Sequence, residues 1–141
     1  MNMVWRNRFI DWFCRDKPEH LRRGELGERA AKRYLKKAGL KFLYANFRGD
    51  QGEIDLIFRE GDVLVFVEVK TRSSETWARP ASAVNPEKQR KIFATARDYL
   101  RLLDNRQIPI RYDIVEVLLE NGQVSEIRHQ PNAFAPARIR R

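Results

Sequence analysis

The sequence predicts an α/β domain in which a mixed central sheet is flanked by helices, in the order α-β-β-β-α-β-β. Three observations carry that reading. Apolar residues recur at helical spacing from about Leu21 to Ala38 and from Pro86 to about Leu103. Between and after these stretches, apolar runs of strand length are separated by turn residues. The run Val63 to Val69 has the continuous hydrophobicity of a central strand buried on both sides, which helices must cover.

A chain of 141 residues makes one ordinary domain with small appendages. The expected division is an amphipathic helix over 1–18, the main domain over 19–130 and a basic tail over 131–141. With 43% hydrophobic and 33% charged residues, the chain fits neither a disordered nor a membrane-spanning class. No apolar run approaches the roughly 18–20 residues a bilayer crossing needs. The net charge of +9 favours a polyanionic partner, because a basic surface gains affinity by releasing counterions from phosphates. Nucleic acid is the commonest such partner. Cys14 is the single cysteine, which excludes an intramolecular disulfide framework and a cysteine zinc site. A reducing, cytoplasmic setting fits.

In the first segment, Trp5, Phe9, Trp12 and Phe13 lie at helical spacing among Arg6, Arg8, Arg15 and Lys17. Charge breaks it too often for a signal peptide. Packing against this protein or a partner protomer is the expectation, with membrane-surface contact, nucleic-acid contact and disorder as alternatives. The next helix is closed by Gly39, with Lys36 and Lys37 in its last turn. Glu25 shares a face with Arg29, Lys32 and Lys36, the pattern of a solvated stripe. Glu28 shares a face with Gly24, Gly27, Ala31 and Leu35, so it projects towards the sheet and wants a cation. Each glycine costs about 1 kcal/mol relative to alanine inside a helix, which predicts a close approach there.

Lys41 to Arg48 reads as the first strand, and Gly49 to Gly52 as a turn. Glu53–Phe58 and Val63–Val69 then form a hairpin about Arg59-Glu60-Gly61-Asp62. With the turn symmetric about Glu60-Gly61, Asp55 faces Phe66 and Glu53 faces Glu68. One face carries Ile54, Leu56, Phe58, Val63, Val65, Val67 and Val69; the other carries Ile57, Leu64 and Phe66, then Glu53, Asp55, Glu68 and Lys70. Asp55 and Glu68 become diagonal neighbours roughly 7–8 Å apart, near enough to share one hard cation. Pairing of Glu68 with Lys70 on an exposed edge is the plainer alternative.

Arg72, Trp77 and Arg79 belong to an irregular stretch before Asn85-Pro86-Glu87, which starts the second helix. Lys88, Arg90, Lys91, Arg97 and Arg101 crowd its polar surface, as solvated charges or as phosphate contacts. Ile110 to Leu119 is a strongly apolar strand, turned by Glu120-Asn121-Gly122 into Val124 to Arg128. Arg111 and Asp113 share a strand face and either pair or support a site. His129 is isolated.

The order of Glu28, Asp55 and Glu68-Val69-Lys70 resembles the PD-(D/E)xK, restriction-endonuclease-like superfamily, with Ile54 where the motif's proline would stand. The surrounding text, Gly27-Glu28, Asn46-Phe47-Arg48, Gly52-Glu53-Ile54-Asp55-Leu56-Ile57, Phe66-Val67-Glu68-Val69-Lys70, Arg72 and Arg111-Tyr112-Asp113, is similar to the bacterial YraN-type family. That family is related in fold to archaeal Holliday junction resolvases, and the likeness spans roughly Leu21 to Leu119. The resemblance implies a three-layer core and a Mg²⁺ site, with Mn²⁺ as substitute. Asp55, Glu68, the Val69 carbonyl and Glu28 would be its ligands, and Lys70 would orient or activate the attacking water. Arg48, Arg72, Lys88 and Lys91 are the cations expected to meet nucleic acid. The implied activity is hydrolysis of phosphodiester bonds in DNA, branched or structured DNA included, by a metal-activated water. A nucleic-acid-binding accessory protein with an idle site is the alternative, and an RNA-directed nuclease differs only in substrate. A homodimer would place two sites on opposing strands, although no self-complementary patch is legible.

Overall fold

Helix α1 (Glu19–Lys37) starts after Pro18 without a side-chain cap, and its two ends carry Glu19 and Lys36-Lys37, charges that suit the helix dipole. Its C-terminus closes as a Schellman motif. Gly39 adopts φ +98°, its N–H donates to the Lys36 carbonyl at 3.1 Å, and the Leu40 N–H donates to the Leu35 carbonyl at 3.1 Å. The computed structural model describes residues 18–74, 84–104 and 107–137. The expected amphipathic helix before Pro18, the loop residues Trp77 and Arg79, and the last arginines of the tail lie outside the described residues. Among the described residues, no helix is long and apolar enough to cross a membrane.

Strands β1 (Lys41–Arg48), β2 (Glu53–Glu60) and β3 (Val63–Arg72) form an antiparallel meander. Helix α2 (Pro86–Leu102) then carries the chain to β4 (Ile110–Glu120), which lies parallel to β3, and β5 (Gln123–Phe134) returns antiparallel to it. The sheet order is β1-β2-β3-β4-β5. Ala31 and Leu35 of α1 pack on Leu56, Phe58, Val65, Val67, Val115 and Val117. On the opposite face Ile92 and Ala96 of α2 pack on Ile57, Leu64, Phe66, Tyr112 and Ile114. The result is the expected helix–sheet–helix sandwich, and β3 and β4 are its doubly covered strands.

The hairpin turn is tighter than the sequence suggests. Glu60 pairs with Val63 across Gly61-Asp62, and Gly61 has φ +57°, so the register moves by two residues from the one expected. An even shift keeps every side chain on its face. It also brings Asp55 opposite Glu68 when the register is continued, in place of the expected diagonal. Ile54 is a correction. It belongs to the core under α2 with Ile57 and Phe66, not to the α1 face with Leu56 and Phe58. Its partner Phe47 changes core with it, whereas Ala45, paired with Leu56, packs on the α1 side. Between these pairs Asn46 takes φ +54°, a left-handed conformation that asparagine tolerates, and the two strands turn over together.

Strand β5 outruns the expected boundary at residue 130. Asn132 takes φ +53°, and Phe134 is buried against Tyr112 and Phe93, with ring centroids 5.4 and 5.8 Å away. Aromatic packing thus holds residues 131–134 in the sheet, and the tail begins after them.

Candidate active site

The site begins where two strands part. Pairing of β2 with β3 stops at Leu56–Val67, yet β3 continues to Arg72 with β4 as its partner, and β2 continues to Glu53 with β1. The sheet forks there. Val69 N–H donates to Asp55 Oδ2 at 2.8 Å, so a side-chain carboxylate takes a donor that a ladder carbonyl would otherwise satisfy. Asp55 is thereby fixed in the fork.

Burial, and then the charge of Glu68, push the Asp55 carboxyl up to about 8; the Val69 N–H opposes this, and Glu28 and a hydrogen bond with Glu68 add to it. Glu68 itself is only 6% exposed. Its Oε1 pairs with Lys88 Nζ, which reaches it from the first turn of α2. There, Asn85 Oδ1 accepts the Lys88 N–H at 2.8 Å, the expected helix cap. For Lys88, burial acts downwards, but the hydrogen bond and charge of Glu68 outweigh it and leave the ammonium above its ordinary range. Lys70 follows Glu68 on the same face of β3. Burial first, then Arg72 and Lys88, lower its pKa against the pull of Glu68 and Glu116.

Glu28 approaches from the α1 side. Gly27 lets the helix come down onto β3, because a Cβ there would collide with the Thr71 side chain; Gly24 meets nothing within 4 Å. One of the two expected close approaches is therefore real. With its amide turned to satisfy both neighbours, Asn46 Nδ2 donates to Glu28 Oε2 at 3.1 Å and to Glu53 Oε1 at 3.0 Å. Burial raises the Glu28 carboxyl, Asn46 lowers it, and Glu53, Glu25 and Glu68 raise it further. The structure brings Asp55 and Glu68 together and holds Glu28 beside Asn46, within their electrostatic field. Among the described residues, no group of three or more histidine, cysteine, aspartate or glutamate side chains is gathered closely enough to hold a metal ion.

The four expected nucleic-acid cations each lie beside an acid. Arg48 Nε is 3.3 Å from Glu53 Oε2, Arg72 Nε is 3.2 Å from Glu116 Oε2, Lys91 Nζ is 4.0 Å from Glu87 Oε1, and Lys88 joins Glu68. Two residues of this region were not singled out in the sequence. Asn46 was quoted only as part of the resemblance. Glu116 was hidden inside the apolar run of β4; it is fully buried, sits in register with Lys70, and accepts from Gln130 Nε2 at 3.1 Å. An acid inside a run of buried aliphatics was its available signal.

A second acidic centre lies on the α1 side of the sheet. Asp113 is fully buried and accepts from Arg111 Nε at 2.8 Å, Arg111 Nη2 at 3.0 Å and the Asn132 N–H at 2.9 Å, while His129 Nε2 lies 2.7 Å from its Oδ2. Burial works to raise the Asp113 carboxyl, but the bonds from His129, Arg111 and Asn132 hold it below its ordinary range. Arg111 and Asp113 thus pair, and His129 is a partner in their network, not an isolated residue.

Fold and site together define a three-layer α/β protein with a largely buried carboxylate pair and two lysines at a strand fork. The chain belongs to Uncharacterised protein family UPF0102, which residues 27–117 match. A UPF0102 protein of Symbiobacterium thermophilum is 46% identical over 113 residues, covering 79% of this chain and 94% of the relative. UPF0102 proteins of Rhodococcus opacus and Clostridium acetobutylicum are 42% and 41% identical over 111 and 112 residues, each covering 79% of this chain, with 94% and 92% of the relatives covered.

Proposed function

We propose that the protein is a magnesium-dependent endonuclease that hydrolyses phosphodiester bonds in DNA, branched or structured DNA included, with manganese able to substitute. The observation that carries this reading is the meeting of Asp55 and Glu68 at the fork, with Lys70 on the same strand face and Asp55 anchored by the Val69 N–H. Two carboxylates pressed together in a buried place favour a cation between them, and an all-oxygen donor set suits a hard one. Asp55 and Glu68 would hold the ion with the Val69 carbonyl, and Glu28 would approach through Asn46. Magnesium bound there would polarise a phosphate oxygen and make a water molecule more acidic.

The protein's own groups supply the rest. Lys70, its ammonium weakened by burial, can orient a water and accept or return a proton more readily than an exposed lysine. Arg72, beside the buried Glu116, presents a guanidinium suited to phosphate oxygens. The +9 charge would draw the polyanion in, and Arg48, Lys88 and Lys91 would exchange their acidic partners for phosphates. The lone Cys14 and this substrate fit a cytoplasmic protein.

Linear, nicked, flap, four-way and single-stranded DNA, incubated with Mg²⁺ or Mn²⁺ and wild-type protein, Asp55→Ala or Lys70→Ala, test the reading. Cleavage by wild type, lost in both variants, is expected. Equal cleavage by all three proteins would remove the site from the chemistry. A second reading, a non-catalytic nucleic-acid-binding protein, draws on the net charge and on a carboxylate pair that, among the described residues, has no third acidic, histidine or cysteine side chain gathered with it. Salt-sensitive binding without cleavage of any substrate would establish it.

A further inference from the structure

We infer that Lys88 is a resident counter-cation for Glu68, which holds the carboxylate pair ready until a divalent ion displaces its ammonium. This rests on the metal-dependent reading above and adds a regulatory residue to the same site. The Lys88 backbone is fixed by the Asn85 cap at the start of α2, so only its side chain is free to move. That side chain joins two unlike environments. The Glu68 side chain is 7% exposed and that of Lys88 is 51% exposed, so the ammonium reaches the carboxylate from the solvent side, where an ion would also enter.

The other ion pairs described above are built differently. Arg48–Glu53 and Lys91–Glu87 have both partners exposed to solvent, whereas Arg72–Glu116 and Arg111–Asp113 are largely buried and use arginine. Arginine's fork is made for lasting carboxylate contacts. Lysine offers a strongly hydrated point charge on a flexible stem, which costs side-chain entropy to hold and is readily released. An ion arriving between Asp55 and Glu68 meets an ammonium already on Glu68, and the two cations repel. Once released, Lys88 remains tethered at the opening, where it can bind a phosphate oxygen of the substrate. The apparent affinity for the ion is thus held down by Lys88, and phosphate binding, by engaging the freed ammonium, raises it.

Calorimetric titration of the full chain with magnesium chloride, without nucleic acid, tests this in wild type, Lys88→Met and Asp55→Asn. Lys88→Met should bind the ion about tenfold more tightly than wild type, and Asp55→Asn should bind it far more weakly. Lys88→Gln serves if the methionine variant does not fold. In the wild-type chain, acylation of Lys88 by an amine-reactive ester, mapped by mass spectrometry, should rise severalfold when magnesium is added. Binding to wild type that Asp55→Asn loses, with Lys88→Met no tighter and Lys88 labelling unchanged, would overturn this inference and leave the metal-dependent reading intact. Magnesium binding absent from wild type and Lys88→Met alike would overturn both.

Discussion

Asp55, half-buried at the strand fork, and Asp113, fully buried under α1, are aspartates of one sheet, and their protonation is driven in opposite directions. Asp113 is surrounded by donors from Arg111, Asn132 and His129, and its carboxyl is held low. Asp55 has one backbone donor and faces Glu68, with Glu28 nearby, and its carboxyl is pushed up to about 8. Burial is common to both, so burial alone identifies neither. What separates them is satisfaction: the fold supplies Asp113 with hydrogen-bond partners, the Arg111 guanidinium among them, and leaves Asp55 with acidic neighbours. The first arrangement is structural, and the second is the one to which the proposed function assigns an ion that the chain does not itself provide.

The largest effect expected is at the satisfied centre. Asp113→Ala leaves Arg111 without its buried partner and should cost about 3–5 kcal/mol in urea unfolding, whatever its effect on DNA. Next comes pH. The folded chain keeps a proton on Asp55 that the unfolded chain releases near the ordinary value of 3.8, so the ion-free protein should lose stability as pH rises from there towards about 8. Full linkage over that span bounds the loss at roughly 6 kcal/mol, and solvent screening of a half-buried group should bring it down to on the order of 3 kcal/mol. Asp55→Asn, which keeps an acceptor for the Val69 N–H, should flatten it. Asp113 acts in reverse: its contribution is complete above the unfolded-state pKa and is lost as pH falls through the lowered folded value. Chemical denaturation from pH 3 to 9 would separate the two arms.

Helix α1 spans both centres, carrying Glu28 towards one and Tyr34 against His129 of the other, their ring centroids 6.2 Å apart. Gly27→Ala should lift it off Thr71 at a net cost of about 1–2 kcal/mol, and adding Thr71→Ala should recover most of that loss. The smallest effect belongs to the exposed pair at the rim. Arg48→Ala should change stability by no more than about 0.5 kcal/mol, while reducing the salt dependence of DNA binding if Arg48 meets phosphate.

Periodicity made the elements legible: α2 with its Asn85 cap, the full extent of β1, and the opposed apolar faces of β3 all follow from local patterns. The shared face of Glu68 and Lys70 was readable because alternation along β3 survives a two-residue error in register. Ile54 was misplaced because the turn-over at Asn46 depends on a left-handed residue and a side-chain hydrogen bond, neither of which has a period. The reach of Lys88 to Glu68 was illegible for a related reason. It joins residues 20 apart in the chain through helix packing, and in the sequence Lys88 is one basic residue among several on α2. The aromatic packing that keeps β5 going to Phe134 is equally nonlocal.

The distinction between a carboxylate the fold satisfies and one it does not is tested most directly by chemical denaturation near pH 7.5 with and without 10 mM (on the order of a saturating concentration) magnesium chloride. Wild type should gain stability with the ion, Asp113→Asn should gain as much from its lower baseline, and Asp55→Asn should gain nothing. An equal gain in Asp55→Asn, or none in wild type, would contradict the account.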